Sequence, residues 1–161
     1  MSAPNRIRAS SPTAFPLAAK YANKGAAGGQ NISLPLSWTD IPNGTKSFAL
    51  SMIDRHPSAK GFVHWVVINM SANARGISEG ASRNPRRLPA GSFELRNGFG
   101  DTGYGGPQPA RGSSSHEYLI TIYALNTSEL QLGPISPFGQ FQTELKGKAL
   151  GSANLVATLS G

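Results

Sequence analysis

The chain has 161 residues, enough for one domain with a substantial hydrophobic core, and 39% of its residues are hydrophobic and 14% charged. It contains no cysteine, which excludes disulfide bonds, thiolate metal sites and a cysteine nucleophile. The formal net charge of +7 favours acidic or phosphate-bearing partners, although a basic surface that only keeps the protein in solution explains it as well.

The N-terminus carries no apolar segment of the kind found in secretory signals, and no apolar run approaches the ~20 residues that span a bilayer. We therefore expect a cytoplasmic protein that does not insert into membranes. Residues 1–12 are polar and are expected to be loosely ordered. Because the chain shows no repeat, linker or low-complexity segment, we predict a single domain over residues 1–161.

Short apolar stretches separated by turns rich in glycine and proline predict a mainly β protein, an antiparallel sandwich with one or two short helices. Pro35 lies within the second stretch, so we place that strand at a sheet edge. Residues 137–150 predict a helix, because their aromatic and aliphatic residues recur with helical spacing as far as Ala149. The predicted strands cover residues 15–21, 34–38, 47–54, 62–68, 93–96, 116–125 and 155–159.

Two stretches in the middle of the chain predict strands of different exposure. Residues 47–54 alternate apolar with small or polar side chains, the period of a half-buried strand, and end at Asp54. Residues 62–68 are almost continuously apolar, as expected for a central strand covered on both faces, and they include His64. An irregular excursion over residues 71–92 follows and carries a concentration of arginines.

Residues 97–112, which we call the glycine-proline loop, cannot form a helix or a regular strand. Six of these sixteen residues are glycine and two are proline. Such a stretch is either a flexible linker or a shaped wall whose backbone N–H groups face a ligand. The strand predicted after it opens with His116, and Tyr118 lies on the same face of that strand.

Asp54, His64 and His116 stand near the ends of three predicted strands, and adjacent strands can bring such ends together. A carboxylate near two imidazoles orients the rings and favours their protonated form. With Tyr118 and the backbone N–H groups of the glycine-proline loop, these residues would form a site for a phosphate, sulfate or carboxylate group.

Each of these residues also has an ordinary structural explanation, since His64 and Tyr118 fit a strand core and Asp54 fits a turn cap. Two histidines and an aspartate also suit a metal, but no pair has a short ligand spacing. Residues 112–116 lack the pattern of a serine nucleophile elbow, and the glycine-proline loop lacks the ending of a P-loop. We therefore predict no catalytic residue, no metal and no cofactor.

Five stretches, taken together, resemble the phosphatidylethanolamine-binding proteins, also called Raf kinase inhibitor-like proteins, in their short bacterial and archaeal branch. The resemblance covers about residues 28–125, and the tail over residues 138–159 matches more loosely. It implies a large antiparallel sheet packed on a smaller one, and a pocket for phosphate, acetate or a phosphoethanolamine head group. The matching stretches are residues 29–38, 42–50, 63–69, 99–107 and 116–118.

The same resemblance implies which residues line the pocket. One departure concerns the family's usual Asp-Pro-Asp-Ala-Pro, which is here Asp54-Arg55-His56-Pro57. We expect Arg55 and His56 to add positive charge at the pocket mouth and to favour anions. The residues that the resemblance assigns to the pocket are Asp54, His64, Trp65, Gly105, Gly106, Pro107, His116 and Tyr118.

The leading hypothesis is a non-enzymatic binding protein for a small anionic or phosphorylated ligand. The alternative is an inhibitor or regulator of a partner protease or kinase, which would bind the arginines of residues 71–92. An enzyme with His64 or His116 as general base fits less well, because no nucleophile or metal accompanies them. No nucleic-acid partner is expected, since the arginines lack interleaved aromatic residues. A homodimer through exposed strand edges stays open.

Overall fold

The structure, a computed structural model, describes residues 7–9 and 14–161, so most of the predicted loosely ordered stretch over residues 1–12 lies outside the described residues. Within these ranges the chain forms nine strands, one α-helix and two short 3-10 helices, Ala19–Tyr21 and Pro57–Ala59. The helix α1 covers Phe138–Leu145. The strands are β1 (Arg8–Ala9), β2 (Ala14–Pro16), β3 (Leu36–Thr39), β4 (Ser47–Asp54), β5 (Val63–Ser71), β6 (Gly76–Ile77), β7 (Phe93–Glu94), β8 (His116–Leu125) and β9 (Ala149–Leu159).

The strands form a sheet of six, in the order β2-β9-β8-β4-β5-β7, and a sheet of three, in the order β1-β3-β6. Neighbouring strands are antiparallel except β2 and β9, which run parallel. The predicted fold class, a mainly β protein with a large sheet packed on a smaller one, is confirmed.

The large sheet is covered on both faces. On one face its side chains join those of the small sheet in a hydrophobic cluster, where the rings of Trp38 and Phe48 lie 5.5 Å apart. On the other face Val66 and Ile68 pack with Phe141 of α1 and with Leu130 of the preceding loop. Burial of these apolar side chains is the main force that holds the layers together.

The boundaries of β4 and β8 match the predictions, but their burial differs. Residues 47–54 were expected to be half-buried, whereas seven of the eight residues of β4 are buried. The physical reason is topological, because β4 lies between β5 and β8 and has a packing layer on each face. Small residues such as Ala49 and Ser51, which suggested an exposed face, instead fit under the helix side of the sheet.

Three other predictions are wrong in detail. The strand expected over residues 34–38 lies between β1 and β6 and not at an edge, and Pro35 precedes its first paired residue. The helix ends at Leu145 because Gly147 takes a left-handed conformation with φ 76°, and β9 then begins. Residues 15–21 are shared between β2 and a 3-10 helix. No helix among the described residues is long and apolar enough to cross a membrane.

Candidate functional site

Asp54 and His116 form a buried pair where β4 and β8 lie side by side. The Nδ1 of His116 donates a hydrogen bond of 2.7 Å to Oδ2 of Asp54. The other carboxylate oxygen accepts the backbone N–H of His56 at 2.8 Å, so Asp54 also caps the turn, as its alternative explanation predicted. Because Nδ1 faces the carboxylate, Nε2 of His116 is the nitrogen left for other partners.

His64 joins this pair from the neighbouring strand, because the register of β4 and β5 is irregular at this point. Met52 pairs with Trp65 and Ile53 pairs with Val63, so His64 is the extra residue of a bulge. Its ring packs edge-on against Tyr118, with the centroids 5.2 Å apart. The three ionisable residues of the sequence prediction therefore meet at one place.

The protonation of the His64 ring follows from its surroundings. Only 3% of the residue is exposed, and this burial lowers the pKa of His64 below its usual value. A hydrogen bond from Nδ1 to the carbonyl oxygen of Gly105, 2.6 Å long, and the charge of Asp54 oppose that shift without cancelling it. The predicted effect of the carboxylate on this ring is thus outweighed by desolvation.

Tyr118 brings a hydroxyl group that has no partner. Its Oη is fully buried and makes no hydrogen bond with any described residue. Burial raises the pKa of Tyr118 well above its usual range, so the group stays a neutral O–H donor. An unpaired buried hydroxyl is costly in a folded protein, and such groups often mark a position where a ligand binds.

His56 covers one face of the His116 ring. Its ring is stacked on the ring of His116, with the centroids 3.9 Å apart and the planes 10° from parallel. Nδ1 of His56 accepts the backbone N–H of Ser58, and Nε2 lies 3.1 Å from Oγ of Ser114. Nδ1 of His56 also lies 2.6 Å from Oγ of Ser58, so two neighbouring serines fix the orientation of the His56 ring. Arg55 beside it is exposed.

The glycine-proline loop forms a wall of the site, but not by presenting its backbone N–H groups. The N–H of Gly105 donates to the carbonyl oxygen of His64, and the N–H of Gly106 donates to Oδ1 of Asn31. Pro107 has no N–H, and its carbonyl oxygen accepts from Asn23. The N–H groups of Gly105 and Gly106 are therefore used to hold the shape of the loop and are not free for an anion.

The two glycines are needed because other groups approach the loop closely. A Cβ at Gly105 would overlap the ring of Phe99, and a Cβ at Gly106 would overlap the backbone of Tyr21 and Asn23. The close approach lets the loop dock on the segment after β2. It also places the carbonyl oxygen of Gly105 where it can bind His64.

Trp65 is not brought to the site. Its ring is fully buried, packs edge-on against Tyr104, and donates through Nε1 to Oε2 of Glu94 at 2.7 Å. The same buried carboxylate accepts from Oγ of Ser82 and from the N–H of Arg83. Trp65 thus anchors the arginine-bearing excursion to β5, which is a structural role that its position next to His64 in the sequence did not reveal.

Two aromatic residues beside His64 were missed as site residues. The ring centroids of Phe62 and His64 lie 4.9 Å apart, and Phe99 packs edge-on against Phe62. Phe99 is 44% exposed, although it is a large apolar side chain. The available sequence signal was its bulk, because Phe99 and Tyr104 are the only aromatic residues in a loop rich in glycine.

The arrangement offers several hydrogen-bonding groups to a ligand. It combines a hydroxyl donor on Tyr118, the Nε2 atoms of His64 and His116, and a carboxylate already paired. Among the described residues no group of three or more histidine, cysteine, aspartate or glutamate side chains could hold a metal ion. Polar groups that lie beside aromatic side chains are typical of a small-ligand site.

Comparison with known proteins supports this description. A family model described as phosphatidylethanolamine-binding protein matches residues 10–160. The UPF0098 protein YbhB of Escherichia coli is 34% identical over 133 residues, which cover 82% of this chain and 84% of that protein. A UPF0098 protein of Methanothermobacter thermautotrophicus is 38% identical over 128 residues, 80% of this chain and 82% of that protein.

A solved structure matches over nearly the whole length. The crystal structure of E. coli YbcL, described as a new member of the mammalian PEBP family, superposes with a TM-score of 0.88 at 28% identity. The match covers 97% of this chain and 99% of that one. The match thus extends over both sheets and the strands that carry the site.

Proposed function

Because this chain belongs to the phosphatidylethanolamine-binding protein family, we propose that it is a non-enzymatic binding protein for small phosphorylated or carboxylated ligands. The ligand's oxyanion would lie among His64, His116 and Tyr118, with Asp54 orienting His116. The observation that carries the proposal is the buried hydroxyl of Tyr118, which lacks a partner beside two imidazole rings.

The net charge of the protein and the aromatic side chains beside His64 support an anion of head-group size. The protein is basic, with a net charge of +7, which attracts anions from solution. Phe62 and Phe99 add an apolar wall that suits the organic part of a phosphate or carboxylate ester. A phosphoethanolamine-type head group combines these two features.

The test compares Tyr118→Phe with Tyr104→Phe. Removing the unpaired hydroxyl of Tyr118 should weaken phosphate binding by about tenfold, measured by calorimetry, and should leave the free energy of unfolding unchanged or higher. The hydroxyl of Tyr104 donates to the carbonyl oxygen of Tyr21 at 2.7 Å. Tyr104→Phe should therefore lose stability by about 1 kcal/mol and keep its phosphate affinity.

A second experiment follows the histidine ring signals by NMR during titration with phosphate and phosphoethanolamine. The signals of His64 and His116 should shift together and saturate, and His64→Ala should abolish binding while the protein stays folded. Binding that survives His64→Ala would remove His64 from the site. Turnover of a phosphoester panel that needs His116 would overturn the non-enzymatic assignment.

The alternative function, regulation of a partner protease or kinase, is also a proposal. Arg83 lines a groove of about 570 Å³ together with Leu88 and Phe93, and Arg86 and Arg87 are exposed on the same excursion. Such a surface would suit a partner with acidic and apolar side chains. Replacing Arg86 and Arg87 by glutamate should then abolish inhibition of a candidate enzyme, whereas His64→Ala should not.

The cellular location also stays a proposal. We infer the cytoplasm, as the sequence suggested, although a relative from Mycobacterium tuberculosis that is 33% identical over 148 residues has a name that includes the word lipoprotein. Fractionation of cells that make the untagged protein tests this directly. Recovery with the membrane pellet would overturn it.

A further inference from the structure

The ring of His64 offers a hydrogen-bond acceptor, not a donor, to the proposed ligand. Its Nδ1 lies 2.6 Å from the carbonyl oxygen of Gly105, and a carbonyl oxygen can only accept. The proton of the neutral ring is therefore on Nδ1, and Nε2 carries a lone pair. Among the described residues Nε2 has no partner, and it is not one of the fully buried unpaired atoms, which are Oη of Tyr118 and Oγ of Ser113.

The groups around His64 favour this neutral form. Phe62, Phe99 and the backbone of Gly105 surround it with uncharged atoms, and burial lowers its pKa. Two groups with charge act on it. Asp54 on β4 favours protonation, and His116 on β8 disfavours it. Tyr118, also on β8, is a neutral hydroxyl that packs against the edge of the ring.

The hydroxyl of Tyr118 keeps its proton and is a donor to an anion. His116 binds Asp54 through Nδ1, which leaves its Nε2 for the ligand. An oxyanion without protons does not match this site, because one of its oxygens would face the lone pair of His64. An oxyanion in which one oxygen is a hydroxyl does match it, since that hydroxyl can donate to His64.

We propose that, among the phosphorylated and carboxylated ligands named above, the site prefers oxyanions that still carry a proton, namely hydrogen phosphate and the monoanions of phosphate monoesters, and binds sulfate and carboxylates more weakly. This inference rests on the proposed anion-binding function and names the ligand class for it. The selection works as hydrogen-bond matching, since a buried acceptor without a donor costs binding free energy.

The first experiment compares phosphate and sulfate by calorimetry at pH 7 and constant ionic strength. The two anions have nearly the same size, but sulfate carries no proton at this pH. Hydrogen phosphate, one of the two phosphate species at this pH, carries the same charge as sulfate, so its interaction with His116 and Asp54 is closely similar. Phosphate should bind at least about tenfold more tightly than sulfate.

Each outcome has one meaning. Equal affinities would overturn the selection for a proton and would leave the anion site standing. No binding of either anion would overturn the proposed function itself, and the selection with it. Tighter binding of sulfate would overturn the selection as well. It would show that Nε2 of His64 donates, which a neutral ring bound to Gly105 through Nδ1 cannot do.

The second experiment uses pH. A phosphate monoester loses its last proton near pH 6, whereas inorganic phosphate keeps one proton well above pH 8. The affinity of phosphoethanolamine relative to phosphate should therefore fall by up to about tenfold per pH unit above pH 6. A ratio that does not change between pH 5.5 and pH 8 would contradict the proposal.

A variant pair locates the effect. His64→Gln places an amide near Nε2, and an amide can present either its N–H or its carbonyl oxygen. The ratio of the affinities for phosphate and sulfate should fall toward one in this variant. Glu117→Gln is the control, because Glu117 is exposed on β8 beside His116, and its preference should equal that of the parent. If His64→Gln does not fold, the two experiments on the parent protein still decide.

Discussion

His56 shows how the site accommodates a single residue that departs from the family's usual motif. Its ring is held by Ser58 and lies flat on the ring of His116. Stacking of this kind contributes about 0.5–1.5 kcal/mol beyond the area that it buries. We infer that His56 positions the His116 ring and does not itself bind the ligand.

This role predicts different results for two substitutions. His56→Phe keeps a flat ring, so its phosphate affinity should stay within about twofold of the parent, whereas His56→Ala should lose about 1 kcal/mol of stability and bind more weakly. Calorimetry and urea denaturation measure both quantities. The ring signals of His116 provide a further readout, because they should move in His56→Ala even without ligand. Equal affinities for His56→Ala and the parent would exclude the positioning role.

At the scale of elements, the long strands could be read from the sequence and the site only in part. The bounds of β4 and β8 follow directly from apolar patterning, and the pairing of these strands brings Asp54 beside Tyr118 in the structure. The bulge at His64 could not be predicted from the sequence. In a regular strand, side chains alternate between the two faces, which would place His64 on the face of Val66 and Ile68. A bulge depends on the partner strand, which local sequence does not specify.

The glycine-proline loop illustrates the same limit in a different way. Its composition correctly excluded a helix and a strand, but composition cannot tell a donor that faces a ligand from one that is used internally. Gly106 donates to Asn31, which lies 75 residues earlier in the chain. Only the docking of the loop on the segment around Tyr21 decides that partner.

This docking predicts that Gly106→Ala is destabilising. Its Cβ would overlap backbone atoms of Tyr21 and Asn23, which cannot move as a side chain can, so we expect a loss of about 1–3 kcal/mol. Phosphate affinity should fall as well, because the adjacent Gly105 positions His64. Gly139→Ala in α1 is the control, since a Cβ there meets open space and alanine favours a helix. Thermal unfolding of both variants measures the contrast, and equal midpoints would contradict the docking argument.

The whole molecule should lose stability in mild acid because of one buried ring. The pKa of His64 is lowered in the folded protein, while in the unfolded chain it returns to about 6.5. Below that pH the unfolded state binds the proton first, so the free energy of unfolding falls as pH decreases, by up to about 1.4 kcal/mol per pH unit, until the folded pKa is reached. Above about pH 7 His64 makes no contribution, because it is neutral in both states.

Urea denaturation at intervals from pH 7.5 to pH 5 tests this sign, with His64→Gln as the matched variant, since a glutamine does not titrate. The parent should lose stability faster than the variant below about pH 6.5, and the two curves should run parallel above it. Saturating phosphate should reduce the loss in the parent, because a ligand that binds the neutral His64 ring of the folded state stabilises that state. A parent curve parallel to that of His64→Gln through the acid range would show that His64 is not buried in its neutral form, and the selection for a proton-bearing ligand would then lose its basis.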